Sequence, residues 1–142
     1  MTVRRLASVF VGAALVFAST SQAHHSFSAE FDAEKPITLT GIVTKVEWTN
    51  PHVWIYVNVK DPETNKMKNW GIELGPPHLL QRRGWRRESL ALGTKINADG
   101  FLARNGSDRM NARTVTLAGT GGAPGETLDA GSSQLERNNT DN

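Results

Sequence analysis

"ITLTGIVTKVEWTNPHVWIYVNVK", residues 37 to 60, decides the fold. Its first half is a β-branched run whose alternation breaks near Gly41, as in a long strand carrying a glycine bulge. "TNP" then reads as a turn. "HVWIYVNVK" alternates cleanly, with Val53, Ile55, Val57 and Val59 on one face and His52, Trp54, Tyr56 and Asn58 on the other. Two strands joined by a tight turn therefore open the domain, the first of them long and bent.

Working outward, "DPETNKMK" reads as a hairpin loop, and "NWGIEL" as a third strand with Trp70, Ile72 and Leu74 inward and Gly71 and Glu73 outward. "GPPHLLQRRG" begins with proline and stops with glycine, which is the asymmetry of a short helix. "GTKINADGFLA" and "ARTVTLA" supply a fourth and a fifth strand. Three strands, a short helix between strands 3 and 4, and two more strands give an all-β domain. The expected form is a five-stranded OB-like Greek-key barrel over 37–118, and the alternative is a small antiparallel sheet packed on one helix.

The flanks are of different character. Residues 1–23 combine a basic start (Arg4, Arg5), an apolar run from Leu6 to Ala18 and a small-residue end at Ser21 to Ala23, the pattern of a cleaved secretory signal peptide. The apolar run falls well short of the roughly 20 residues that span a bilayer, so no transmembrane segment is expected in the mature form. Periplasmic or secreted localisation follows. Residues 24–36 form an extended, polar lead-in. Residues 119–142, rich in Gly, Ser, Asn and Thr with little to bury, read as a disordered tail.

Composition narrows the function classes. The chain has 16 basic and 14 acidic residues, and loss of Arg4 and Arg5 with the leader leaves the mature charge balanced, so nucleic acid is not an expected partner. With no cysteine there are no disulfides, thiolate metal sites or thiol catalysis. No "GxSxG" is present, and Glu47 and Glu73 would act as paired carboxylates only if strand register aligned them. A non-enzymatic, monomeric binding protein is the expectation.

Cleavage after Ala23 would give His24 a free α-amine, and that nitrogen with the His24 ring can chelate a metal. In a competing mode the amine, the next amide and the His25 ring hold copper(II) in a tetragonal nitrogen plane. His52 is the better further imidazole and His78 the poorer, both within reach of an extended lead-in. Copper is the expected cofactor, if the two histidines are more than a solvated linker. A two-histidine site with an open position also admits a copper oxidase or monooxygenase as a third reading.

Two other groups of residues are candidates for ligand binding. Asn50, Trp54, Tyr56 and Glu73, with His52, fall on the strand 2/3 face and adjoining loop that such barrels use for ligands, although aromatics there also serve packing. Arg82, Arg83, Arg86 and Arg87 surround Trp85 and would suit a phosphate or carboxylate, or only a solvated helix end. An envelope interaction module docking a glycan, a protein or a lipid surface through either group is the alternative function.

The stretches "AHHSFSAEFDAEKPITLTGIVTKVEWTNPHVWIYVNVKD", "NWGIELGPPHLLQRRGW" and "DGFLARNGSDRMNARTVTL" together resemble a family of small exported bacterial proteins of unknown function. Its members share an "AHHSF" start, a "TNPH" turn and an "RRGW" segment. The resemblance covers about residues 23–118 and implies export and a small β-domain, with no activity to carry over. The N-terminal histidine is also similar to that of copper-resistance periplasmic proteins and lytic polysaccharide monooxygenases, which have other folds.

Overall fold

The computed structural model describes residues 27–119 and 125–131. The expected signal peptide over residues 1–23, His24, His25 and most of the expected tail lie outside the described residues. Elements follow in the order α1 (Phe27–Glu30), β1 (Phe31–Glu47), β2 (Trp54–Lys60), β3 (Met67–Glu73), α2 (Pro77–Arg82), a 3-10 turn (Arg87–Ser89), β4 (Lys95–Ala103), β5 (Arg109–Leu117) and β6 (Thr127–Asp129). The expected succession of strands and helix is therefore present, with β1 starting earlier behind a short helix and one strand, β6, added after β5. No helix among the described residues is long and apolar enough to cross a membrane.

β1 is 17 residues long because it serves two neighbours. Its first part, from Phe31 to Ile42, pairs antiparallel with β4, and its second, from Gly41 to Glu47, with β2. β2 pairs antiparallel with β3, β4 with β5, and β5 with β6, while β3 and β5 run parallel from Gly71↔Arg109 to Glu73↔Asn111. The pairings thus run from β1 through β2, β3, β5 and β4 back to β1. The bulge of β1 lies at Thr44, between Val43 and Lys45, and not at Gly41. Gly41 answers a different demand: a Cβ there would stand 2.7 Å from the Asn58 carbonyl oxygen.

Alternation placed the core correctly along β2, where Ile55 and Val57 are fully buried together with Val53 just before it, and along β3, where Ile72 is buried together with Leu74 just after it. Ile96, Met110 and Val115 meet them from β4 and β5, and Leu80 and Trp85 close over them from α2 and the turn that follows. α2 starts at Pro77 and its last turn runs into Gly84 at φ +93°, a conformation that a glycine adopts without strain.

Both margins differ from expectation. The lead-in is not uniformly extended up to residue 36, since Phe27–Glu30 is helical and β1 already starts at Phe31. Phe31 is 3% exposed and its ring stacks 5.8 Å from that of Phe27, which in turn meets Phe101 edge-on at 5.6 Å. Within the tail, Thr127–Asp129 pairs with β5, and Leu128 and Ala130 are buried. Two apolar side chains were enough because prepared donors hold the backbone. Trp85 Nε1 donates to the Asp129 carbonyl at 2.8 Å, Gly75 N to the Ala130 carbonyl at 2.8 Å, and Arg83 Nη1 to the Gly131 carbonyl at 2.6 Å.

Candidate functional site

The strand pairings place Trp54 of β2 opposite Glu73 of β3, and Glu73 opposite Asn111 of β5, which in turn faces Phe101 of β4. A row of outward side chains therefore crosses four strands at one end of the sheet. His52 enters at the start of β2, just after the cis Asn50–Pro51 peptide, and its Nδ1 is hydrogen-bonded to Glu73 Oε1. The other carboxylate oxygen, Oε2, accepts from Asn111 Nδ2 at 3.3 Å. Glu73 was expected on the outward face; it is there, yet only 7% exposed.

A carboxylate so far removed from water needs donors, and it has two. Because a carboxylate only accepts, Nδ1 of His52 is the donor, and in the neutral imidazole Nε2 is the nitrogen left with a lone pair. That nitrogen has no hydrogen-bond partner among the described residues. The pKa of His52 is raised, chiefly by the hydrogen bond to Glu73, against the opposing effect of burial and with further help from the charges of Glu73 and Glu30. Glu30 belongs to α1, so the start of the described chain lies within electrostatic range of this imidazole. Asn111 is 2% exposed, and its Oδ1 has no hydrogen-bond partner among the described residues.

The other expected residues separate. Asn50 is exposed in the loop before His52. Trp54 is half-buried against Gly71, where an added Cβ would be 3.5 Å from its Cζ3, and the Arg109 guanidinium stands 5.4 Å from the indole. Tyr56 donates to Glu47 Oε2 at 3.2 Å, with Lys45 5.1 Å from its ring. Glu47 and Glu73 flank Trp54 from opposite neighbouring strands, so register does not pair these carboxylates. His78 is exposed on α2.

The arginines are brought together only in part. Arg83 is turned to Asp129 Oδ1 at 3.2 Å and to the Gly131 carbonyl, and Arg87 stands 6.0 Å from the Trp48 ring. Arg82 and Arg86 are exposed, Arg86 beside a shallow depression of about 460 Å³ that Arg87 and Glu88 also line. Trp85, at their centre, is 1% exposed and belongs to the core.

Sequence reasoning missed Asn111, Arg109 and Glu30. Asn111 was overlooked because strand five was read from Ala112 onward. The available signal was slight, an asparagine between two apolar residues, Met110 and Ala112, that are themselves flanked by Arg109 and Arg113. Among the described residues no three His, Cys, Asp or Glu side chains cluster closely enough to hold a metal, and His24 and His25 lie outside them.

The fold and site define a small β-sheet protein with a half-buried histidine held by a carboxylate and an amide at one end of the sheet. The chain matches the model of a family of unknown function, DUF6152, over residues 13–112, and belongs to that family. No curated protein and no solved structure matches it.

Proposed function

We propose that this is an exported, non-enzymatic copper-binding protein on an OB-like Greek-key barrel, in which the processed N-terminus at His24 chelates copper(II) and His52 Nε2 adds an imidazole. The barrel reading is supported by the circuit of pairings from β1 back to β1 and by the parallel β3–β5 contact, with α2 between β3 and β4. The observation that carries the metal reading is the His52–Glu73 hydrogen bond. Carboxylate–histidine pairs of this kind fix the tautomer of metal-ligating imidazoles and raise their basicity. The Coulombic influence of Glu30 on His52 supports the approach of the lead-in, since Glu30 closes the short helix Phe27–Glu30 and the three residues 24–26 ahead of that helix could span about 10 Å if extended.

The test is a copper(II) titration by calorimetry and EPR on protein exported and processed in a bacterial host, its N-terminus confirmed by mass spectrometry. One-to-one binding is expected, weakened at least tenfold both by one extra N-terminal residue and by His52→Ala. Binding no tighter than that of a free His-His-Ser peptide removes the reading. A second reading rests on Trp54, whose half-buried indole lies against Gly71 beside Arg109 as a stacking surface for an envelope glycan. Quenching of tryptophan fluorescence by such glycans without metal, lost in Trp54→Ala, would favour it.

A further inference from the structure

β1 meets β2 only from Gly41↔Val59 onward, while the residues before Gly41, from Pro36 to Thr40, pair with β4. The first part of β1 therefore stands away from the β2–β3 hairpin and leaves a wedge beside it. A cleft of about 400 Å³ opens there, within the roughly 300–1,000 Å³ of small-molecule sites. Its walls are Ile37 and Leu39 of β1, Val59 of β2 and Trp70 of β3. Leu39 is part of the core, and the other three pack against it while remaining only partly buried. Leu80 and Trp85 cover the core from α2 and the turn after it, beyond Glu73 and so at the Trp54 end of β2. At the Val59 end no helix residue contributes to the lining. We infer that this cleft binds an aliphatic carboxylate, the anion of a fatty acid, with its chain against the four apolar walls and its carboxylate at Lys60.

The rim decides the charge of the occupant. Asp61 is the one acid in the lining, and it is already engaged: it accepts from the backbone N–H groups of Glu63 and Thr64, and the Lys68 ammonium lies 3.1 Å away. Asp61 and Lys68 offset one another. Lys60 is the remaining charge, and its side chain has no partner among the described residues. An anion is therefore the complement of this rim. The walls decide the rest of the ligand. Ile37, Leu39 and Val59 offer no hydrogen bonds, so a polar group along the body of the ligand would lose water without replacement. Thr38 and Thr40, at the edge of the cleft, already donate to Asp99 and Asn97 of β4. A sugar thus finds few partners here, whereas a hydrocarbon chain gains from each methylene it buries. The Lys60 stem can lie along apolar surface while its ammonium meets the carboxylate at the mouth.

The experiment titrates the metal-free, full-length protein with hexanoate, octanoate and decanoate below their micellar concentrations, and with decanol as the uncharged control. Calorimetry gives affinity and stoichiometry, and methyl and indole NMR shifts give the location. One-to-one binding is expected, tightening about three- to fourfold per added methylene, with the largest shifts at Ile37, Leu39, Val59 and Trp70. Decanol should bind about threefold or more weakly than decanoate, and Lys60→Gln should remove that difference by weakening decanoate alone. Trp70→Ala should weaken all four ligands about tenfold. Should Trp70→Ala fail to fold, the wild-type shift map and Lys60→Gln, an exposed change, decide alone. No saturable binding of decanoate would overturn the inference, as would shifts centred outside the cleft. Equal affinity of wild type for decanol and decanoate, or a Lys60→Gln protein that keeps full decanoate affinity, would overturn it as well. None of these outcomes depends on copper, because neither His52 nor Glu73 lines the cleft.

Discussion

Asp61 shows how a single carboxylate can organise a turn. It closes the β2–β3 hairpin by accepting from the backbone N–H groups of Glu63 and Thr64 at 3.0 and 2.9 Å, and Lys68 lies 3.1 Å away. These donors favour the charged form and lower its pKa to about 2, the backbone bond from Thr64 contributing most. A folded pKa below the unfolded one means stability that is present above the unfolded value, near 3.8, and lost as pH falls through about 2. Wild type should therefore melt above Asp61→Asn at neutral pH, and the gap should narrow as pH is lowered from about 4 towards 2. Melting curves across that range check it, and a constant gap would show that the carboxylate's charge contributes nothing. The loop was legible in "DPETNKMK" from its composition. The part taken by Asp61 was not, because side-chain to backbone bonds depend on turn geometry that composition leaves open.

The strands show where alternation succeeds and where it fails. On β2 a period of two gave both faces, because one side of that strand packs on the core and the other does not. On β1 the break was visible but assigned to Gly41, when the extra residue is at Thr44 and Gly41 serves the close passage of β2. Both a bulge and a crowded backbone call for a departure from regular side-chain spacing, and a sequence does not tell them apart. β4 has a comparable irregularity against β5, between Asp99 and Gly100, beside the Asn111 backbone. A Cβ at Gly100 would stand 2.0 Å from the Asn111 carbonyl oxygen and 2.9 Å from the Ala112 Cα, contacts that only backbone movement relieves. Gly100→Ala should cost about 1–3 kcal/mol, and because the shift falls on the residue that anchors Glu73, His52 resonances should move with it. Denaturant unfolding with NMR chemical shifts checks both; an unaltered His52 with lowered stability would show that β4 and the site are independent.

At the level of the whole molecule, the domain is completed by a piece of chain that composition assigned to a disordered tail. The reason that reading failed is specific. Compositional disorder rests on a segment having too little apolar surface to offset its ordering entropy, and the 119–142 stretch taken alone meets that description. What it omits is the receiving surface: an indole N–H, a guanidinium and the free edge of β5, all in the body of the domain, arranged for a short strand with one leucine. The same surface explains the "RRGW" residues. Trp85 and Arg83 are turned to β6, whereas Arg86 and Arg87 line one surface depression with Glu88. Truncation after Ala118 should therefore destabilise the protein by at least about 3 kcal/mol, from exposure of the surface that Leu128 covers and from an orphaned indole donor. Trp85→Phe, which keeps β6 and deletes only that donor along with part of the ring, should cost less. Urea unfolding of the three proteins decides the matter, since equal stability of the truncated and full-length chains would mean that β6 contributes nothing to the core. A loss in Trp85→Phe as large as in the truncation would place the whole effect in the indole and none in Leu128.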